Sequence, residues 1–236
     1  RPVYEIADNK APIVAIVTDP EATQTQMEVE YKKDKLPKEV SLAMPGYVMN
    51  LANSLISSVL SERFEEITMQ ADAPFAAAMA GYSELVKSKD AFQMVVVPKE
   101  GKELEGLNAL LLEAEKMKRF GFTNAELERA KTNMFKNFEK SYNERDNQKS
   151  ISLAREYIRH YLSNEPIPGI EFEYQTVQMI LPQLKTEMIN QLAKSYVSDT
   201  NVVISVMAPE KANVKVPSES QILAAIEEKK KAELTA

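Results

Sequence analysis

Met27-Glu28-Val29-Glu30-Tyr31-Lys32 alternates apolar and charged side chains with a period of two, the pattern of a β-strand with one face on a core and the other in water. Upstream, Ile13-Val14-Ala15-Ile16-Val17 is a short, largely β-branched run closed by Asp19-Pro20. It predicts a buried strand and a turn. Downstream the period changes. Val48, Leu51, Ala52, Leu55, Ile56, Val59, Leu60, Phe64 and Ile67 recur at three- and four-residue intervals, which predicts one long amphipathic helix. Ala73-Pro74-Phe75 ends it. The stretch through Tyr82, then Phe92, Met94, Val95, Val96 and Val97 before Pro98, predicts two more strands hairpin-linked around 87–90.

The next segment is helical. Leu107, Leu110, Leu111, Ala114, Met117 and Phe120 form an apolar stripe, and Gly121 stands where a left-handed C-terminal cap is wanted. Thr123-Asn124-Ala125-Glu126 is a capping box, with Phe122 and Leu127 at the hydrophobic-staple positions. The helix it opens carries Leu127, Ala130, Met134, Phe135, Phe138 and Tyr142. After a polar break at 143–149, another carries Ile151, Ala154, Tyr157, Ile158, Tyr161 and Leu162. Pro166-Ile167-Pro168-Gly169 is a stiff connection to helices at about 171–181 and 186–196. Val202-Val203-Ile204-Ser205-Val206 is a last strand closed by Pro209, and 222–234 reads as a lysine-rich terminal helix that packs weakly or frays. Strands early and late with helices between them predict a two-layer α+β domain, its mixed or antiparallel sheet covered by helices on one face. Without a repeat or a long low-complexity linker, residues 1–236 count as one domain, with a core at about 13–208 and a polar C-terminal extension at 209–236.

Composition narrows the chemistry. A chain of 236 residues, 44% hydrophobic and 27% charged, can bury a sizeable core, which excludes a disordered chain. It has no Cys and one His, so disulfides, thiolate nucleophiles, Cys-ligated metals and any chemistry needing two imidazoles are excluded. A net charge of −6 argues against a nucleic-acid surface. The six glycines form no Gly-x-Gly-x-x-Gly. Around Gly101-Lys102 a phosphate-binding loop would need glycine at Val96 and a hydroxyl at Glu103. There is no Gly-x-Ser-x-Gly elbow for a hydrolase. No apolar run approaches the roughly 18 residues needed to span a bilayer, and the start Arg1-Pro2-Val3-Tyr4 reads as a piece of a longer polypeptide.

The remaining candidates have plain structural explanations. His160, between Glu156 and Glu165, reads as a surface or half-buried imidazole near a helix C-terminus. Glu113 with Glu115, and Glu62 with Glu65 and Glu66, lie off the apolar stripes and read as solvated helix faces. Met117, Met134 and Met188 read as core filling. Lys229-Lys230-Lys231 is too short, and too close to Glu227, Glu228 and Glu233, for a phosphate patch. No catalytic, cofactor-binding or metal residue is therefore assigned.

Asp19-Pro20-Glu21-Ala22-Thr23, Asp72-Ala73-Pro74-Phe75, Phe120-Gly121-Phe122-Thr123 with Glu126-Leu127 and Ala130-Lys131, and Pro166-Ile167-Pro168-Gly169-Ile170-Glu171 occur in an order and spacing that resemble the pitrilysin (insulinase) family of zinc metallopeptidases over roughly 13–208. The likeness is to the non-catalytic second domain of the long, four-domain bacterial type. It implies the α+β fold of mitochondrial-processing-peptidase-like metallohydrolase domains, homologous domains that close around an unfolded peptide, and zinc in the first domain only. The family's zinc motif, His-x-x-Glu-His with a downstream Glu, has no counterpart here. Some partner domains of the family supply an Arg and a Tyr to substrate, but 72–97 contains no Arg. What the resemblance implies is a structural and substrate-chamber domain of a zinc metalloendopeptidase, inactive alone, with the catalytic and other homologous domains and unfolded peptide as partners and no nucleic acid or membrane span. Relatives point to the periplasm or cell envelope. The alternatives are a zinc-free scaffold or interaction domain of the same fold, and an unrelated α+β ligand-binding domain. An upstream His-x-x-Glu-His would separate the enzyme reading from the scaffold.

Overall fold

The computed structural model describes residues 4–163, 165–212 and 214–235. The chain divides into two compact units, one of Arg1–Lys35, Ile56–Phe122 and Asn190–Ala236, the other of Leu36–Leu55 and Thr123–Ile189.

The first unit is built on a five-stranded mixed sheet. Its strands are β1 (Ile13–Asp19), β2 (Gln26–Asp34), β3 (Phe75–Val86), β4 (Lys89–Pro98) and β5 (Val202–Pro209), in the order β1-β5-β2-β4-β3. β1 runs parallel to β5; every other pairing is antiparallel. The period-two reading of β2 holds, because Met27, Val29 and Tyr31 are fully buried while Glu28 and Glu30 on the other face are only half-buried. Phe92, Met94 and Val96 of β4 and Val202, Ile204 and Val206 of β5 continue the buried face. The helices α3 (Glu103–Phe120) and α8 (Glu219–Lys231) lie in this unit, with Leu107, Leu110, Ala114 and Met117 of α3 fully buried. The long helix α2 (Met44–Thr68) supplies Ile56, Val59, Leu60 and Phe64 to the same core. Phe64 meets Phe75 of β3 edge to face, with ring centroids 6.4 Å apart.

Two expectations for this unit are corrected. β1 is not a buried strand: it lies at the sheet edge, and Ile13 and Val17 are 48% and 60% exposed. A β-branched run reports strand propensity, whereas burial depends on which strand lands beside it. The neighbour of β1 is β5, from the far end of the chain. The terminal helix α8 does not fray as an appendage, since Ile222, Ala225, Ile226 and Lys229 are buried. Its Ser218 forms a capping box with Gln221, which fixes its start.

The second unit is helical. It holds α1 (Lys38–Ser41), the beginning of α2, α4 (Asn124–Asn143), α5 (Ser150–Ser163), α6 (Ile170–Ile180) and the first turn of α7 (Thr186–Tyr196). The capping box at the start of α4 is present in both directions: Thr123 Oγ1 accepts from Glu126 N, and the Glu126 carboxylate accepts from Thr123 N at 2.7 Å. Leu127 and Ala130 of α4 and Val177 of α6 are buried, and Tyr142 stacks on Tyr174 with centroids 4.7 Å apart. Met117 fills the core as read, but Met134 is only half-buried and Met188 is exposed. The apolar stripe of α5 is also on the surface: none of the helix's residues is buried.

Candidate functional site

His160 lies in the last turn of α5 and is exposed. Its Nδ1 is 2.7 Å from the Glu165 carbonyl oxygen, which can only accept, so the ring donates there. The Glu165 carboxylate accepts from Arg159 at 3.0 Å. Both groups are committed to ending the helix. Among the described residues, no three His, Cys, Asp or Glu side chains converge as a metal cage. With one imidazole and no thiolate, the donors of a zinc site are not assembled by these residues.

The acidic pair on α3 differs from the expectation. Glu113 and Glu115 are 8% and 5% exposed, not solvated. Each is neutralised along its own helix, Glu113 by Lys116 at 2.6 Å and Glu115 by Arg119 at 2.7 Å. The Arg119 guanidinium also donates to the carbonyl oxygens of Ala232, Lys229 and Lys230, which satisfies the open C-terminal end of α8. Glu65 and Glu66 are exposed, as read, whereas Glu62 is half-buried.

A buried amine that the sequence reading passed over adjoins this cluster. Lys229 is 4% exposed, and its ammonium donates to Tyr31 Oη at 3.0 Å. Loss of hydration lowers its pKa to about 8, although Glu115 and Asp199 pull the other way. Burial raises the pKa of the Tyr31 phenol. The spacing of 222, 226 and 229 puts Lys229 on the apolar stripe of α8, and that was the available signal. The run of three lysines concealed it.

Two surfaces could meet another molecule. The sheet face opposite the buried one presents Ile13, Ala15 and Val17 from β1, Val203 and Met207 from β5, and Val95 and Met79 from β4 and β3. Val17, Met79 and Met207 are each about half-exposed or more. Glu28 and Glu30 lie across its middle; burial and the neighbouring Glu30 raise the Glu28 pKa, and Gln93 donates to Glu30 at 2.9 Å. In the second unit, a cavity of about 380 Å³ is lined by Met44, Tyr47, Leu51, Phe138, Pro168 and Phe172. The Tyr47 hydroxyl is buried without a hydrogen-bond partner among the described residues, and its pKa is pushed up to about 12 by burial and by Glu173.

No protein-family model matches the chain. A zinc protease PQQL-like protein of Arabidopsis thaliana is 25% identical over 211 residues, 89% of this chain and 19% of the relative. The crystal structure of the periplasmic protease PqqL of Escherichia coli matches with a TM-score of 0.86 at 16% identity, covering 100% of this chain and 26% of PqqL. An inactive domain of an M16 peptidase, the insulinase family, from Pseudomonas fluorescens matches with a TM-score of 0.61 at 15% identity, over 92% of this chain and 48% of that one. At such identities these structures show a shared α+β fold and nothing about individual residues. The chain spans about a fifth of the Arabidopsis relative and about a quarter of PqqL.

Proposed function

We propose that the chain is a non-catalytic, substrate-chamber domain of a zinc-dependent metalloendopeptidase, with 1–236 serving as one such domain. The observation that carries this is the one-sided sheet: helices pack one face, while the other offers half-exposed apolar side chains around Glu28 and Glu30. An extended, unfolded peptide binds well to a broad, partly apolar surface and to the free backbone of a sheet edge such as β1. The chemistry belongs to another domain of the polypeptide, where zinc supplies a Lewis acid and an activated water. Among the described residues no His, Asp and Glu side chains group as a zinc cage, and the part proposed for this domain is to hold substrate near that centre. Partners are then the catalytic domain and unfolded peptide. The periplasmic location of PqqL supports placing the protein in the cell envelope.

The test is Val17→Glu with Met207→Lys in the complete polypeptide. Both side chains lie on the open face, so the expected result is a raised KM for unfolded peptide with zinc content unchanged. An unaltered KM would remove the sheet face from substrate binding.

A further inference from the structure

Helix α5 has an apolar face that no described residue buries. Ile151, Ala154, Tyr157, Ile158 and Tyr161 recur at three- and four-residue intervals and share that face. All five are exposed, Tyr161 by 85%. Single exposed apolar side chains are ordinary; a contiguous stripe of them marks an interaction surface. At 14 residues the helix is also of the length at which an isolated helix in water is marginal, and packing of the apolar face is what normally stabilises it.

Size selects the occupant. A helix of 14 residues is about 21 Å long, and half the girth of a cylinder about 10 Å across gives a face of roughly 330 Å². That is less than half of the roughly 800 Å² each partner buries in a specific complex of separate molecules. A second copy would not be held by it. Counting both sides, roughly 660 Å² falls in the range of contacts between domains of one chain, where the tether keeps the effective concentration near millimolar. The rim carries Arg155, one turn after Ile151, exposed and without an ion pair among the described residues. A carboxylate opposite would complement it.

The geometry points to α5 as the seat of an adjoining domain of the same polypeptide, whose contact surface is apolar at its centre and acidic beside Arg155. This rests on the reading of the chain as one domain of a longer peptidase.

The experiment is hydrogen–deuterium exchange on the complete polypeptide, unsubstituted and with Ile158→Glu plus Tyr161→Glu. Amides of 150–163 should exchange at least about tenfold more slowly than in an unstructured peptide, and the double variant should abolish this while β4 keeps its protection. Unprotected exchange of 150–163 in the unsubstituted polypeptide would overturn the seat. Protection that grows with protein concentration, together with a sedimenting dimer that the variant dissociates, would overturn it by giving the face to a second copy. Zinc content and peptide hydrolysis of the same sample report separately on the peptidase reading. A polypeptide lacking both but protected at 150–163 would retain the interdomain seat and remove the reading beneath it.

Discussion

The Lys229 ammonium donates a 3.0 Å hydrogen bond to the Tyr31 hydroxyl and lies 5.6 Å from the centroid of the same ring. A cation is thus held in the core by one phenol, with Glu115 and Asp199 as charged neighbours. Burial lowers the folded-state pKa of Lys229 to about 8, below that of a lysine in the unfolded chain. Below this value both states are protonated and the cost of burying the charge is constant. As pH rises from about 8 the folded state loses its proton first, the unfolded state binds more protons, and stability increases. The raised pKa of Tyr31 acts oppositely, because the unfolded phenol ionises first above about pH 10.

Denaturant unfolding should therefore show a gain on the order of 2 kcal/mol between about pH 8 and pH 10, followed by a decline. In Lys229→Met the gain should vanish. A variant whose pH dependence matches the unsubstituted chain would show that this amine is not the titrating group.

Gly121 carries a second expected sensitivity. Its φ of 73° is positive, as the cap position predicts, but its ψ of −150° lies outside the left-handed helical well, in a region open essentially to glycine. The Asn190 amide lies against it, where a Cβ would collide with Cγ, while donating to Phe122 O at 3.0 Å and accepting from Phe122 N at 2.7 Å. Gly121→Ala should cost about 2–4 kcal/mol, read from the unfolding midpoint. A loss below about 0.5 kcal/mol, the scale of an ordinary surface change, would contradict this geometry.

Arg119 joins the exposed end of α3 to the end of α8. Its removal leaves Glu115 uncompensated and frees the carbonyl oxygens of Lys229 and Lys230 in α8 and of Ala232 just beyond it. Arg119→Ala should destabilise by about 2–3 kcal/mol and make the lysines of α8 more sensitive to trypsin. Unchanged proteolysis at 229–231 would mean that α8 is held by its apolar residues alone.

Local signals were strong enough to read the elements. The alternation in β2, the stripe of α2 and the Thr123–Glu126 capping box each depend on residues a few positions apart, and each appears in the structure. What the sequence concealed is non-local. The pairing of β1 with β5 joins positions 190 residues apart, Ile13 with Val203, and no local pattern records it. The exposure of the α5 stripe is likewise invisible to periodicity, which identifies an apolar face and not its occupant. Lys229 was legible in part, since it falls in register with Ile222 and Ile226, but charge outweighed spacing in the reading of that run. The open sheet face could not be drawn without the strand order.

On the proposed function, zinc chemistry lies outside these 236 residues and substrate contact within them. The most direct measurement is zinc content and unfolded-peptide hydrolysis, determined side by side on the complete polypeptide and on this chain. The expected result is that the complete polypeptide binds zinc and cleaves peptide while the chain alone does neither. Stoichiometric zinc or peptide hydrolysis in the chain alone would contradict it and turn attention back to His160 and the carboxylates around it.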